Sequence, residues 1–261
     1  MLGSKPLISV IVCAHNEEKY VGKCLTALRR ALEGFNGEIV FVADRCTDRT
    51  VDLAKKYNVE KLVIKDKKIW ENSYAESLQI GFFNSSGKYV YIIDADIVVP
   101  SNFFKRTLSL VNEKVVSVSA SVRTYPSTLI NKIYSAWEKT YEITPFGRSP
   151  RGAARVILRR ALYEVGGFRD VPAPDTDLDI RLKKKGYVSL YCNKVYVWHI
   201  REITLKKAIN GQISAGISRY ILRISFVQTL MHSIFRFRPL VIYGWILGWR
   251  KYGSRKFKRE L

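Results

Sequence analysis

Cysteine is scarce in this 261-residue chain, and Cys13, Cys24, Cys46 and Cys192 form no CxxC pair. That spacing argues against a zinc site or a disulfide framework. With Cys13 and Cys192 in apolar strand-like runs, the four read as reduced, buried thiols of a cytosolic protein. Long apolar runs are missing as well: crossing a bilayer takes roughly 18 residues, and the nearest approach, Pro239 to Trp249, has 11. Leu7 to Val12 is too short, and too soon followed by a polar turn, to serve as a secretory leader. There is no GxGxxG, which argues against a dinucleotide fold, and there is neither an internal repeat nor a low-complexity segment. Acid is in short supply, with 23 Asp+Glu against 44 Lys+Arg and a net charge of +21.

What is present is a globular composition, 47% hydrophobic and 26% charged, long enough for one large domain with a sizeable core and a small appendage. The charge is unevenly spread: residues 201–261 hold 13 Lys+Arg against 2 Asp+Glu, a net of +11. Such a block attracts polyanions, either nucleic acid or the anionic cytoplasmic leaflet of a membrane, and composition does not choose between them. Pro239 to Trp249 carries two Trp and a Tyr and is flanked by Arg236, Arg238, Arg250 and Lys251. Those features suit a segment lying among lipid headgroups, with a core helix packed on the main domain as the alternative.

The first hundred residues alternate strand and helix patterns, which predicts βαβ units and a parallel sheet covered on both faces. Strands are expected at 8–13, 38–43, 62–65 and 89–93, and helices at 18–32, 47–57 and 74–83. Beyond Pro100 the pattern predicts helices at 102–111 and 129–141, a strand at 116–121, and a Gly-, Pro- and Arg-rich loop over 144–152. A strand at 156–158, a helical turn at 160–165, a helix at 177–185 and strands over 188–198 follow, with helix from about Thr204 onward. This gives a domain over 1–203 and a helical, basic segment over 204–261.

Asp94-Ala95-Asp96 stands directly after the apolar run Tyr89 to Ile93. A buried strand delivers both acids to the open end of the sheet, where ligands bind in parallel α/β folds, and paired acids there suit a hard divalent cation shared with phosphate oxygens. A solvated acidic turn is the plain alternative. Cys13-Ala14-His15-Asn16-Glu17 occupies the turn after the first strand, where backbone N–H groups meet nucleotides. Asp44 ends the second strand, where a carboxylate accepts from the N–H face of a pyrimidine or guanine base, whereas Asp48 is more simply a helix N-cap.

The ordered set of motifs resembles glycosyltransferase family 2, inverting enzymes of GT-A fold. That family carries a Pro-x-Tyr-Asn-Glu turn, an Asp-Asp-Gly-Ser-Thr-Asp turn, an Asn-x-Gly helix, an Ala/Ser-x-Gly-Glu/Lys-Tyr strand ending in Asp-x-Asp, then Gly-Gly-Phe and an acidic helix with Arg. Matching them in order over roughly residues 6–200 are Asn16-Glu17, Asp44-Arg-Cys-Thr-Asp48, Gly81, Ser86-Gly87-Lys88-Tyr89, Asp94-Ala95-Asp96, Gly166-Gly167-Phe168 and Asp175-Thr-Asp-Leu178 with Arg181. Cys13, His15, Ala43, Gln79 and Pro174 depart from the pattern.

The resemblance implies a GT-A, Rossmann-like, mostly parallel sheet flanked by helices. It implies a nucleotide-diphosphate sugar (UDP- or GDP-) held by Ala14, His15, Glu17, Asp44, Asp94, Ala95 and Asp96. It further implies Mg²⁺ or Mn²⁺ on Asp96 and Asp94, with His199 as a further ligand. Displacement with inversion requires a base opposite the leaving group; Asp175 takes that role, with Asp177 and Asp179 as competitors. Lys67, Lys68 or Arg residues of the 148–155 loop are expected to assist the leaving diphosphate. Gln212-Ile-Ser-Ala-Gly lacks the Gln-x-x-Arg-Trp of processive relatives, so transfer of a single sugar is expected. The expected acceptor is lipid-linked or a saccharide, and the location is the cytoplasmic face of the cell membrane, held by an anionic surface, without nucleic acid. A nucleotidyltransferase is the enzymatic alternative, although residues 13–17 contain no glycine for a phosphate loop, and a basic nucleic-acid binder is the non-enzymatic one.

Overall fold

The computed structural model describes residues 5–139, 150 and 152–253. Two compact units share the chain, one of Met1–Tyr125 with Ser149–Arg201, the other of Pro126–Arg148 with Glu202–Leu261. The described residues 126–139, expected in the first domain, fall in the second unit.

The first unit is built on one eight-stranded sheet. Its strands are β1 (Ile8–Ala14), β2 (Gly37–Asp44), β3 (Lys61–Lys65), β4 (Tyr89–Asp94), β5 (Ile97–Val98), β6 (Val115–Thr124), β7 (Ala154–Leu158) and β8 (Val188–His199), in the spatial order β3-β2-β1-β4-β7-β6-β8-β5. Its helices are α1 (Val21–Leu32), α2 (Thr50–Lys56), α3 (Ser73–Asn84), α4 (Phe103–Leu108), α6 (Arg159–Glu164) and α7 (Pro174–Lys184). The second unit holds α5 (Leu129–Glu138), α8 (Leu205–Ile221), α9 (Phe226–Phe235) and α10 (Leu240–Tyr252).

Strands β3, β2, β1 and β4 are mutually parallel, as the alternation of elements predicts, and β6 runs parallel to β8. Strand β7 is antiparallel to both β4 and β6, and β5 is antiparallel to β8. Because side chains alternate along a strand, the apolar runs of β1 and β4 feed two cores. Val10, Val12, Tyr91 and Ile93 face one side with α1 and α4, through Leu25, Leu28, Phe103 and Phe104. Ile11, Val90 and Ile92 face the other, against Leu78 and Phe82 of α3 and Leu178 and Leu182 of α7. These strands are apolar at nearly every position, Ser9 of β1 and the terminal Asp94 of β4 excepted, because both faces are covered.

Several boundaries differ from the sequence expectation. Helix α1 starts at Val21 rather than Glu18, and α2 at Thr50 rather than Thr47, because Glu18 and Asp48 serve the turns before them: Asp48 Oδ1 accepts from Thr50 N at 3.0 Å and Oδ2 from Glu18 N at 3.1 Å. Helix α7 begins three residues earlier than expected, with Pro174 in its first turn, a position where the missing N–H is no loss. Strand β5 was not anticipated. The expected 144–152 loop, with Arg148 and Arg151, falls outside the described residues except for Pro150 and Gly152. The four cysteines are free thiols, but only Cys24 and Cys192 are buried; Cys13 and Cys46 are half-buried.

Arg155, expected as an assisting loop residue, lies instead within β7 at 0% exposure. Its Nε donates to Ser117 Oγ at 2.6 Å, Nη2 to Ser189 Oγ at 3.2 Å and to Asp179, and Nη1 to Asp175 O at 3.5 Å. This buried cation ties β6, β7 and β8 to the first turns of α7. Removing one partner of a buried pair leaves the other charge uncompensated. Arg155→Met is therefore expected to lower unfolding stability by about 3 kcal/mol, read as a drop in urea midpoint with unchanged slope.

Candidate active site

At the C-terminal ends of β1, β2 and β4, where strand order reverses about β1, a cavity of about 320 Å³ opens. Cys13, Ala14, His15, Glu17, Asp44, Tyr74, Ser77, Asp94, Ala95, Asp96, His199 and Arg201 line it. Such a crevice is where open α/β sheets bind ligands. All seven expected donor-binding residues and His199 meet here, and Tyr74, Ser77 and Arg201 join them.

Two loops frame one end of the cavity. Asn16 and Arg45 follow β1 and β2 with φ of 56° and 48°. Asn tolerates the left-handed region, whereas an arginine there is strained, and Arg45 stands where the family motif has glycine. Asn16 Oδ1 accepts from Thr47 N at 2.8 Å, and His15 Nδ1 lies 2.6 Å from Asp44 O, so the two loops are joined.

Asp44 is held from three sides. Lys65, its register partner on β3, donates Nζ to Oδ1 at 3.0 Å; Arg45 Nε reaches Oδ1 at 2.8 Å; Ser73 Oγ donates to Oδ2 at 2.6 Å. Burial opposes charge on this carboxylate, but the hydrogen bonds from Arg45, Ser73 and Lys65 outweigh it and hold the pKa at about 2. Lys65 also pairs with Glu76 at 2.9 Å. Lys67 and Lys68, expected to assist the leaving group, are instead exposed beyond β3 and do not line the cavity.

The two acids after β4 behave differently. Asp94 Oδ1 accepts from Tyr74 Oη at 2.7 Å. Burial, reinforced by the charges of Asp96 and Asp175, raises the Asp94 pKa to about 6. Asp96, only 3% exposed, shares Oδ2 between His199 Nε2 at 2.9 Å and Arg201 Nε at 2.6 Å. Burial works against its charge, yet His199 and Arg201 prevail and lower its pKa. Burial likewise works against a charged His199, but the bond from Asp96 wins and raises it. The antiparallel register Ile97 with His199 brings the pair together across β5 and β8. Arg201 also bonds Glu17 Oε1, while Glu17 Oε2 is buried without a hydrogen-bond partner.

The donors for a hard divalent cation in this corner are oxygens and a nitrogen that already share bonds with Arg201 and one another. Asp96 supplies a carboxylate, His199 an imidazole nitrogen and Glu17 an orphaned buried oxygen, and such ions complete their shell with phosphate and water. Asp94, also expected as a ligand, gives Oδ1 to Tyr74. Among the described residues no group of three or more His, Cys, Asp or Glu side chains forms a ready-made cage.

Asp175 does not line the cavity and stands at its edge. Asp94 N donates to Ala153 O at 3.0 Å, and the neighbouring Gly152 packs so closely that a Cβ there would lie 3.3 Å from Asp175 Cβ. Its competitors are occupied elsewhere: Asp177 with Arg181 at 2.8 Å, and Asp179 with Arg155. Cys13 lies between the acids, and burial, with Asp94 and Asp44 close by, pushes its thiol far above the usual range.

Residues 9–170 match the family described as Glycosyl transferase family 2, and the chain belongs to that family. A probable glycosyltransferase of Bacillus subtilis, YdaM, is 27% identical over 220 residues, 77% of this chain and 52% of that protein. A beta-monoglucosyldiacylglycerol synthase of Nostoc sp. is 28% identical over 206 residues, 69% of this chain and 42% of that one. The chain thus spans about half the length, or less, of these curated relatives. Among solved structures, the mannosyltransferase PcManGT of Pyrobaculum calidifontis, in complex with GDP-Man and Mn²⁺, superposes with a TM-score of 0.64 at 18% identity, over 97% of this chain and 76% of that one. The fold is GT-A.

Asp44→Asn removes the partner of a lysine whose side chain is 4% exposed. It is expected to destabilise the protein at neutral pH by about 2 kcal/mol. Because the folded pKa is depressed, that contribution is full above the ordinary carboxylate pKa of 3.8 and is lost as pH falls through about 2. Thermal unfolding from pH 7 down to pH 2 should therefore bring parent and variant together at the acid end.

Proposed function

We propose that this chain transfers a single sugar, with inversion, from a UDP- or GDP-sugar to the hydroxyl or phosphate of a lipid-linked or saccharide acceptor, at the cytoplasmic face of the membrane. The observation that carries the reading is one cavity lined by acids from separate segments, Glu17, Asp44, Asp94 and Asp96, with Asp175 at its rim.

In this reading Asp44 accepts from the base, with Ala14, His15 and Glu17 around the nucleoside. Arg45 must release part of its hold on Asp44 for that contact, leaving Lys65 to keep the carboxylate ionised. Asp94, aimed by Tyr74, receives the ribose or sugar hydroxyls. Asp96 and His199 would hold Mg²⁺ or Mn²⁺, which supplies charge neutralisation for the departing diphosphate. Arg201, on the same Asp96 oxygen, brings a second positive charge to that end of the cavity. Asp175 takes the acceptor proton as the new bond forms, and the arginine-anchored start of α7 fixes its position.

The named activities of relatives support the acceptor class: one is a diacylglycerol-linked glycolipid synthase and another a dolichol-phosphate mannosyltransferase. GDP-Man and Mn²⁺ in the complex of the mannosyltransferase support the donor and metal classes. Among the described residues no helix is long and apolar enough to cross a membrane; the association we propose is peripheral.

A panel of UDP-, GDP- and dTDP-sugars with Mn²⁺ should give a thermal shift with one nucleotide class. Asp175→Asn is expected to lose about 10²- to 10⁴-fold in transfer rate while retaining that shift, and Asp96→Asn to lose both the rate and its response to chelator. Full activity in both variants would overturn the mechanism.

A further inference from the structure

Two helices of the second unit, α9 and α5, bury polar side chains and expose apolar ones. On α9, Thr229 and Ser233 are 0% and 3% exposed, whereas Phe226, Val227, Met231 and Ile234 are 40%, 66%, 37% and 57% exposed. At 3.6 residues per turn the buried pair falls on one side of the helix with Phe226, which packs on Trp245, and Val227, Met231 and Ile234 fall on the other. The inward polar groups are bonded: Thr229 Oγ1 accepts from Arg219 Nε at 3.2 Å, and Ser233 Oγ donates to Arg238 O at 2.7 Å. Helix α5 repeats the pattern, with Asn131 at 0% and Leu129, Ile130 and Ile133 at 74%, 46% and 64%. Asn131 accepts from Ile203 N at 3.0 Å and donates to Ser127 Oγ at 3.2 Å.

The pairing of α8 with α10 fits the same environment. A Cβ on Gly244 would lie 2.1 Å from Ile213 O, and one on Gly216 2.1 Å from Val241 O. Gly244 and Gly248 are one turn apart, so the two backbones meet at small residues, as helices do where apolar burial gives no drive between them. A water-facing unit would show the opposite arrangement, apolar in and polar out.

We infer that α9 and the start of α5 lower their apolar faces into the acyl boundary of an anionic bilayer. Charge selects this occupant: Lys132, Lys206, Lys207, Arg223, Arg250 and Lys251 are exposed on the same unit, and residues 201–261 carry a net of +11. Tyr243 and Trp249, 52% and 56% exposed, suit the headgroup level. The inference deepens the membrane part of the proposed function and is independent of the reaction chemistry.

Flotation of the full chain with phosphatidylglycerol-containing and pure phosphatidylcholine vesicles, without donor or acceptor, tests it. Hydrophobic insertion predicts that the protein floats with anionic vesicles and that most of it stays bound at about 1 M salt, where exposed charges are screened. Met231→Glu and Ile234→Glu, both at exposed positions on the outer side of α9, should each lower partitioning about tenfold, and Val227→Trp should raise it. All three should keep the parent's thermal shift with nucleotide, so failure of insertion and failure of the glycosyltransferase reading are read separately. Complete release by salt, with the Glu variants binding as the parent does, would overturn the inference in favour of surface electrostatics. Glu variants that convert a dimer to a monomer without changing partitioning would overturn it in favour of a second copy of the chain.

Discussion

The carboxylate of Asp96 is the point on which the cavity depends. One oxygen answers two cationic donors from the far end of the chain, His199 and Arg201, across a separation of about a hundred residues. A two-residue strand pairing, β5 with β8, sets this meeting, and Asp96 is 3% exposed, so the charge is stabilised by partners rather than by water. Glu17 is drawn into the same cluster through Arg201. The end of β1, the end of β4 and the end of β8 are thus joined by electrostatics, in the corner that the proposed reaction fills with diphosphate.

The contrast with Asp94 follows from what surrounds each acid. Burial and neighbouring acids raise the pKa of Asp94 to about 6 against the single hydrogen bond from the Tyr74 phenol, whereas the cationic partners of Asp96 overcome its burial and lower its pKa. Two carboxylates two residues apart thereby have their pKa values pushed in opposite directions, a pattern common at functional sites. The buried Arg155 plays the same part for α7: it engages Asp179 and leaves Asp175 at the rim.

The sheet was legible because β1, β2 and β4 are buried on both faces and so read as largely apolar runs, broken only by Ser9 and Glu38. The positions of Asp44, Asp94 and Asp96 were legible because they close such runs at the open end of the sheet. Helix starts were less so, because Glu18, Asp48 and Pro174 each carry more than one signal; the Pro174-Asp175 pair does mark the first turn of α7 once proline's preference for that place is applied. Lys65 and Arg201 were hidden among 44 basic residues, and only strand register reveals that one faces Asp44 and that the other lies two residues past a histidine paired with Asp96. The reversed polarity of α9 was hidden for another reason: apolar periodicity gives the same pattern whichever way the apolar face points.

Cys13 has a consequence for reagents that attack sulfur. A thiol reacts as its thiolate, and this one sits half-buried among carboxylates that hold its proton on. The cleft therefore carries sulfur without carrying a nucleophile, and at neutral pH oxidants and alkylating agents find little there to modify.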